Sequence, residues 1–265
     1  FRSHAQYYRE LGEIAAAAGE VDKGIKYLEP AIKKVVKPSY VVRGLIPLYI
    51  KKGNDDRIIE LIKSHHFDNW EGEYTVYNWY KDAHIRKGDK YIKQGKLKEA
   101  VKEYQEALVC PENVGSMAGV SYSKSLRGET KLLWKLANAY KKLKEDKLAY
   151  ETLQKGIKNE PSEWALEGRY YYALCLRELG KQKEAIKVFD GIIEYANKTI
   201  MGSPNLTKSN LGHLNYWIGI AYAEKGLKDK AIEFLKESVA NYQEAKAVDN
   251  PFYKEAKAKL AEFLK

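Results

Sequence analysis

The stretch TKLLWKLANAYKKLKEDKLAYETLQKGIKNEP, from Thr130 to Pro161, decides the fold of this chain. With Thr130 as position 1, apolar residues at positions 4, 7, 8 and 11 form one helical stripe, and residues at 20, 24 and 27 form a second. Small residues at positions 8 and 20 let two helices approach closely, and the proline at position 32 stops the second helix. The spacing therefore predicts two amphipathic helices joined by a turn.

The same frame recurs along the chain. Five further copies fit it, and they start at Ala5, Ser39, Lys81, Leu166 and Gly212. The second copy is degenerate, because Ile46 and Ile58 stand where the frame has small residues. Glycine recurs at position 15, where the chain must turn and a positive φ is often needed. This pattern resembles the tetratricopeptide repeat, a helix–turn–helix unit of about 34 residues.

The resemblance implies an all-α fold, a right-handed α-solenoid of about six repeats that occupies residues 1–265 as a single domain. An amphipathic stripe over residues 252–264 predicts a final helix that caps the last repeat. The stretch at 73–80 is expected to lengthen the first helix of the third repeat. Residues 115–129 and 198–211 are rich in Gly, Ser and Asn and are predicted to be loops, either tolerated surface insertions or part of a binding face.

A narrower resemblance covers about residues 81–240. The run EALVCPENVG at 106–115 is similar to one in certain bacterial tetratricopeptide proteins, which carry an uncharacterised sugar-associated domain upstream of their repeats. The resemblance implies a carbohydrate-linked setting and carries over no catalytic residue.

Composition narrows the class of partner and compartment. The 46 basic residues exceed the 36 acidic ones by a net charge of +10, but only 8 of them are arginines. Phosphate and nucleic-acid sites favour arginine forks, so we expect no nucleic-acid partner. No run is apolar enough to predict a membrane span. Cys110 and Cys175 lack a CxxC spacing, which favours a reducing, cytoplasmic compartment, and Phe1 in place of methionine indicates that an upstream segment was removed.

No motif in the sequence indicates an enzyme. The glycine that a phosphate loop needs is missing before Gly95-Lys96 and Gly180-Lys181, and no GxSxG or HExxH motif occurs. The adjacent His65 and His66 point about 100° apart on a helix and have no third ligand at a suitable spacing. We therefore predict no catalytic residue, no cofactor and no metal.

The resemblance implies that positions 2, 5, 9, 12 and 13 of each first helix face a concave groove. Position 5 holds Trp134, Tyr170 and Tyr216 in three successive repeats, which we call the aromatic ladder. Polar groups are expected around it, namely Lys131, Glu167 and His213 at position 2, with Asn138, Lys141 and Arg177. Aromatic rings with a polar rim suit an extended peptide or a sugar chain. In the alternative, these rings pack between neighbouring first helices and are core.

These features favour a non-enzymatic scaffold that binds a protein or peptide segment in its groove. The first alternative is recognition of a carbohydrate by the same rings, or an accessory role in a sugar-processing protein. The second alternative is a structural, self-assembling array.

Overall fold

The computed structural model describes residues 2–67, 74–114 and 129–265. Within these ranges the chain is helical and contains no strand. The α-helices are α1 (Arg2–Ala17), α2 (Val21–Leu28), α3 (Pro38–Lys52), α4 (Asp55–Lys63), α5 (Tyr74–Lys93), α6 (Leu97–Ala107), α7 (Glu129–Lys142), α8 (Asp146–Gly156), α9 (Leu166–Glu178), α10 (Gln182–Gly202), α11 (Lys208–Glu224), α12 (Lys228–Glu244) and α13 (Pro251–Phe263). Two short 3₁₀ helices, Glu29–Lys33 and Glu112–Val114, follow α2 and α6.

The helices form pairs at the predicted repeats, so the all-α fold of helix–turn–helix repeats is confirmed. The first helix of the third repeat is lengthened as predicted, since α5 has 20 residues and begins at Tyr74. None of the helices in the described ranges combines the length and apolar character that crossing a bilayer requires.

The turn inside each repeat has the left-handed backbone that the sequence predicts. Glycine at position 15 adopts φ between +68° and +80° in five repeats, at Gly19, Gly53, Gly95, Gly180 and Gly226. In the fourth repeat a lysine takes this place, and Lys144 adopts φ +62°. The first and second helices are therefore joined by the same turn, whether or not the residue is glycine.

Small residues bring the two helices of a repeat together. A Cβ atom built on Gly88 of α5 would lie 2.4 Å from Cε1 of Tyr104 on α6, and one built on Gly219 of α11 would lie 2.8 Å from Cγ of Leu235 on α12. Ala149 on α8 and Ala185 on α10 are buried at the position where the second helix meets the first. These close contacts leave little room for a larger side chain.

The prediction of a loop at 198–211 is wrong for most of that segment. Helix α10 continues to Gly202 and α11 begins at Lys208, so only residues 203–207 connect them. The side-chain oxygen of Thr207 accepts a 3.2 Å hydrogen bond from the backbone N–H of Asn210 and so caps α11. The predicted loop at 115–129 lies outside the described residues apart from Glu129, which begins α7.

The chain divides into two compact units. The first comprises Phe1–Leu126 and Asn138–Glu145, and the second comprises Arg127–Ala137 and Asp146–Lys265. The core of the first unit is built on α3 and α4, which contribute thirteen of its buried residues between them. The core of the second is built on α9 to α12, with Phe252 and Leu260 of the predicted terminal helix packed against it.

Candidate functional site

The first helices of the second unit lie beside one another. Helix α9 contacts α11, and α11 contacts α13, while α10 contacts α9 and α11, and α12 contacts α11 and α13. These successive first helices are therefore neighbours in space, which is the arrangement that the aromatic ladder requires.

Ring-to-ring contacts connect the ladder, but through residues that the sequence analysis did not select. Trp134 packs on Tyr171, with 5.4 Å between ring centroids, and Tyr170 packs on Trp217 at 5.6 Å. Tyr216 in turn lies 5.1 Å from Phe252 of α13. We call this set of six rings the aromatic line.

Within α9 and within α11, two adjacent rings pack against each other, and these contacts complete the aromatic line. The ring centroids of Tyr170 and Tyr171 lie 5.1 Å apart, and those of Tyr216 and Trp217 lie 4.9 Å apart. Both pairs meet edge to face, the geometry that aromatic quadrupoles favour. The repeat alignment could have indicated these two missed residues together, because Tyr171 and Trp217 both occupy position 6 of their repeats.

The three ladder residues differ in exposure. Tyr216 is buried, with 6% of the residue exposed, whereas Trp134 and Tyr170 are partly exposed. The hydroxyl of Tyr216 donates a 2.6 Å hydrogen bond to Oε2 of Glu255, a carboxylate on α13 that the sequence analysis missed. Burial, and then this carboxylate, raise the pKa of Tyr216, so its hydroxyl stays protonated and remains a donor.

A second carboxylate joins two predicted residues. Oε1 of Glu224 on α11 accepts a 2.8 Å hydrogen bond from the hydroxyl of Tyr170, and Oε2 accepts one of 2.5 Å from Nη1 of Arg177. Burial and the Glu224 carboxylate raise the pKa of Tyr170. Glu224 occupies position 13 of its repeat, one of the groove positions, so the sequence did contain a signal for it.

The predicted Lys131 also has a carboxylate partner. Its Nζ lies 2.7 Å from Oε1 of Glu167, which occupies position 2 of the following repeat. Burial lowers the pKa of Lys131, but Tyr171 and Glu167 outweigh it and raise the pKa overall, so this side chain carries its charge at neutral pH.

The predicted His213 is part of the aromatic cluster and not of the polar rim. Its ring lies 4.7 Å from that of Phe252, and its Nε2 accepts a 3.2 Å hydrogen bond from Nε1 of Trp217. Burial lowers the pKa of His213, with Glu167 acting in the opposite direction. The imidazole is therefore neutral at pH 7, as its role as an acceptor requires.

Two of the predicted residues lie in the other unit. Asn138 and Lys141 belong to the segment Asn138–Glu145, which is grouped with the first unit, and both are half-buried. Their part in ligand binding stays a prediction. The second unit thus holds seven of the nine predicted side chains, together with Tyr171, Trp217, Glu224 and Glu255.

Comparison with known proteins identifies the repeats. Family models described as "Tetratricopeptide repeat" match residues 82–108, 130–163, 167–196 and 212–243. These four segments coincide with the repeats that the sequence places at 81, 130, 166 and 212. No curated protein sequence matches the chain.

Several solved structures of low identity also match. YrrB, described as a TPR protein with an unusual peptide-binding site, is 18% identical over 95% of this chain and 90% of its own, with a TM-score of 0.27. NprR in complex with its cognate peptide NprX is 15% identical over 98% and 72%, with a TM-score of 0.39. The APC/C hetero-tetramer Cut9–Hcn1 is 16% identical over 98% and 43%, with a TM-score of 0.42.

Proposed function

We propose, from the premise that this chain belongs to the tetratricopeptide repeat superfamily, that it is a non-enzymatic scaffold that binds a protein or peptide segment. The binding surface in this proposal is formed by the first helices of the second unit, α7 as far as Ala137, α9 and α11, together with α13. Arrays of this type use extended concave surfaces to bind their partners.

The aromatic line is the observation that carries the proposal. It crosses from α7 through α9 and α11 to α13, with each step between helices made by two rings whose centroids are 5.1 to 5.6 Å apart. Binding energy at protein interfaces is concentrated in aromatic and arginine side chains that are held rigidly by their neighbours. Trp134 and Tyr170 meet this description, because they are fixed by neighbouring rings and still partly exposed.

The charges beside the aromatic line favour a peptide as the ligand. The pairs Lys131–Glu167 and Arg177–Glu224 place both signs of charge next to the rings. In the second pair, 33% of the Arg177 side chain and 19% of the Glu224 side chain are exposed. Such groups can hydrogen-bond the N–H and C=O groups of an extended backbone while the rings hold its side chains. A carbohydrate bound by the same rings, and a self-assembling array, remain the competing hypotheses.

The proposal is tested by selecting a peptide that binds the chain and then mapping where it binds. A displayed library of random peptides is selected on the immobilised chain, and hydrogen exchange then locates the selected peptide. We expect slower exchange in α9 and α11, and an affinity that Lys131→Glu lowers about tenfold. The matched control Lys183→Glu, at an exposed position on α10, leaves the affinity unchanged. Slower exchange confined to the second helices would contradict the proposal.

Two further measurements distinguish the competing hypotheses. If the chain binds a glycan array, Trp134→Ala abolishes that binding and no peptide is selected, the hypothesis of carbohydrate recognition is favoured. If the mass measured by sedimentation rises with protein concentration and neither screen yields a ligand, the self-assembling array is favoured.

A further inference from the structure

Each step along the aromatic line carries a carboxylate. Glu167 on α9, Glu224 on α11 and Glu255 on α13 each accept a hydrogen bond from a side chain of the preceding helix of the line, at 2.7, 2.8 and 2.6 Å. The same kind of contact therefore recurs at all three steps, from α7 to α9, from α9 to α11 and from α11 to α13. The steps differ in the charge that faces the carboxylate.

The first two carboxylates have a cation of their own. Nζ of Lys131 lies 2.7 Å from Oε1 of Glu167 and, at the same time, 5.5 Å from the centroid of the Tyr171 ring. Nη1 of Arg177 lies 2.5 Å from Oε2 of Glu224. The Lys131 ammonium is thus held by a carboxylate and an aromatic face, two groups that both attract a cation. The step from α7 to α9 therefore shows how this surface holds a cation.

The third carboxylate, that of Glu255, has no cation. Glu255 is exposed, and no lysine, arginine or histidine in the described part of the chain forms an ion pair with it. One of its oxygens accepts the hydrogen bond from the hydroxyl of the buried Tyr216, which fixes the carboxylate in place. Phe252, one turn before Glu255 on α13, packs on Tyr216 and is partly exposed. This end of the aromatic line thus offers a carboxylate and a ring to a cation that the described residues do not supply.

The Glu255 carboxylate lies on the same surface as the other charged groups. Burial lowers the pKa of Lys131, whereas Tyr171, Glu167 and Glu255 raise it. Because exposed charges are screened beyond a Debye length of about 8 Å, this effect requires Glu255 and Lys131 to lie near each other. The three carboxylates exceed the cations Lys131 and Arg177 by one negative charge, although the chain as a whole carries +10. The local charge is therefore complementary to a basic ligand.

We propose that the peptide bound at the aromatic line carries a basic residue, lysine or arginine, whose cationic group pairs with Glu255 and packs against the ring of Phe252. This inference rests on the proposed function, because it names the class of peptide that the same surface binds. The cation of the ligand completes the third step as Lys131 completes the first. Tyr216 is a positioning residue here, since its hydroxyl holds the carboxylate. Apolar side chains beside the basic residue of the peptide lie on the partly exposed Tyr170.

Parallel selections from one displayed library of random peptides, on the natural chain and on Glu255→Lys, test the preference for a basic residue. We expect the peptides selected on the natural chain to share a lysine or arginine at one position. Those selected on Glu255→Lys should carry aspartate or glutamate there, because the reversed charge repels the first class and attracts the second. Hydrogen exchange in the complex with the natural chain should slow in α9, α11 and α13.

Titration with two matched peptides measures the contribution of Glu255. One is the shared sequence selected on the natural chain, and the other has methionine in place of its basic residue. Glu255→Gln removes the charge but keeps an oxygen for the Tyr216 hydroxyl, so it isolates the ion pair. We expect it to weaken the basic peptide about fivefold and to leave the affinity of the methionine peptide unchanged.

The control variant is Glu233→Gln, which removes an exposed carboxylate from the second helix α12 and should change the affinity of neither peptide. Selected peptides that slow exchange in α9 and α11 but share no basic residue would overturn the inference and leave the proposed function standing. So would an equal loss for both peptides in Glu255→Gln, because Glu255 would then act only through the position of Tyr216. If no peptide is selected, or exchange slows only in the second helices, the proposed function fails and the inference fails with it.

Discussion

The hydroxyl of Tyr170 on α9 and Oε1 of Glu224 on α11 are joined by a 2.8 Å hydrogen bond, which ties two successive first helices together at the aromatic line. Arg177 holds the other oxygen of the same carboxylate. Because hydrogen bonds to charged groups contribute about 1.5–3 kcal/mol when they are shielded from water, and this pair is partly exposed, we expect Glu224→Ala to lower the free energy of unfolding by about 1–2 kcal/mol.

Urea unfolding of Glu224→Ala and of Glu184→Ala measures this difference. Glu184 lies 3.6 Å from Lys181 in an exposed pair, so its removal should change the free energy of unfolding by less than about 0.5 kcal/mol. Equal effects of the two variants would show that the Tyr170–Glu224–Arg177 contact adds nothing to the stability of the second unit.

The buried His84 predicts how stability depends on pH. Its Nδ1 lies 2.5 Å from Oε2 of Glu103, and its ring packs edge-on against Tyr80. Burial lowers the pKa of His84, Glu103 acts in the opposite direction, and Lys63 adds to the lowering. The unfolded chain, in which histidine titrates near pH 6.5, therefore binds more protons than the folded chain just below that pH.

The free energy of unfolding should consequently fall as the pH is lowered from about 7 to 5, through the unfolded pKa. In His84→Gln this slope should be smaller, whereas the exposed His66→Gln should keep it. Urea unfolding at three pH values measures the slopes. The same slope in His84→Gln as in the natural chain would exclude His84 as its source.

The turn at position 15 predicts a pair of substitutions with opposite signs. Lys144 holds φ +62° and Gly226 holds φ +76° in equivalent turns. In a left-handed backbone a residue with a Cβ atom is destabilised by about 1–2 kcal/mol. Glycine avoids this strain but loses more conformational entropy on folding, which costs about 0.5–1 kcal/mol. Lys144→Gly should stabilise the chain by about 0.5–1 kcal/mol, and Gly226→Lys should destabilise it by a similar amount. Thermal unfolding compares them, and a loss of stability in both variants would contradict the argument.

The close approach of the two helices in a repeat predicts sensitivity to volume. Ala149 and Ala185 are buried where the second helix meets the first. Leucine at either position should overpack the contact and cost about 1–3 kcal/mol, whereas Ala258→Leu on the exposed side of α13 should cost almost nothing. Melting temperatures of the three variants measure this, and unchanged values at both buried sites would mean that the repeat register is wrong.

Local features of the sequence predict most of the fold. The turn residues at position 15 lie within one repeat, as do the close contacts of Gly88 and Gly219 at position 8, so this spacing identifies the helix pairs. The segment at 198–211 is mispredicted because its Gly, Ser and Asn content resembles a loop, whereas Gly202 ends one helix and Thr207 caps the next. Composition does not reveal that these residues occupy helix ends only a few residues apart.

The candidate site is less predictable, because its contacts join different repeats. The sequence places Trp134, Tyr170 and Tyr216 at one position, but the contact of Tyr216 with Glu255 depends on where α13 packs. Likewise, the shared position 6 of Tyr171 and Trp217 does not show that Tyr171 packs between Trp134 and Tyr170. That packing becomes evident only when α7 and α9 are placed side by side. Alignment of repeats finds equivalent residues, and only their packing shows which of them touch.

The affinity of a display-selected peptide for Trp134→Ala, measured by calorimetry beside the melting temperature of the same sample, tests the proposed binding surface most directly. Loss of an aromatic anchor at an interface typically costs about 2 kcal/mol, which is roughly a 30-fold loss of affinity. We expect that loss in Trp134→Ala with a nearly normal melting temperature. Tyr170→Ala should lose affinity as well but melt lower, because it also removes the hydrogen bond to Glu224. Tyr216→Ala, at a buried position, should lower the melting temperature instead. Unchanged affinity in both of the first two variants, or a melting temperature depressed in all three, would contradict the account and leave these rings as core.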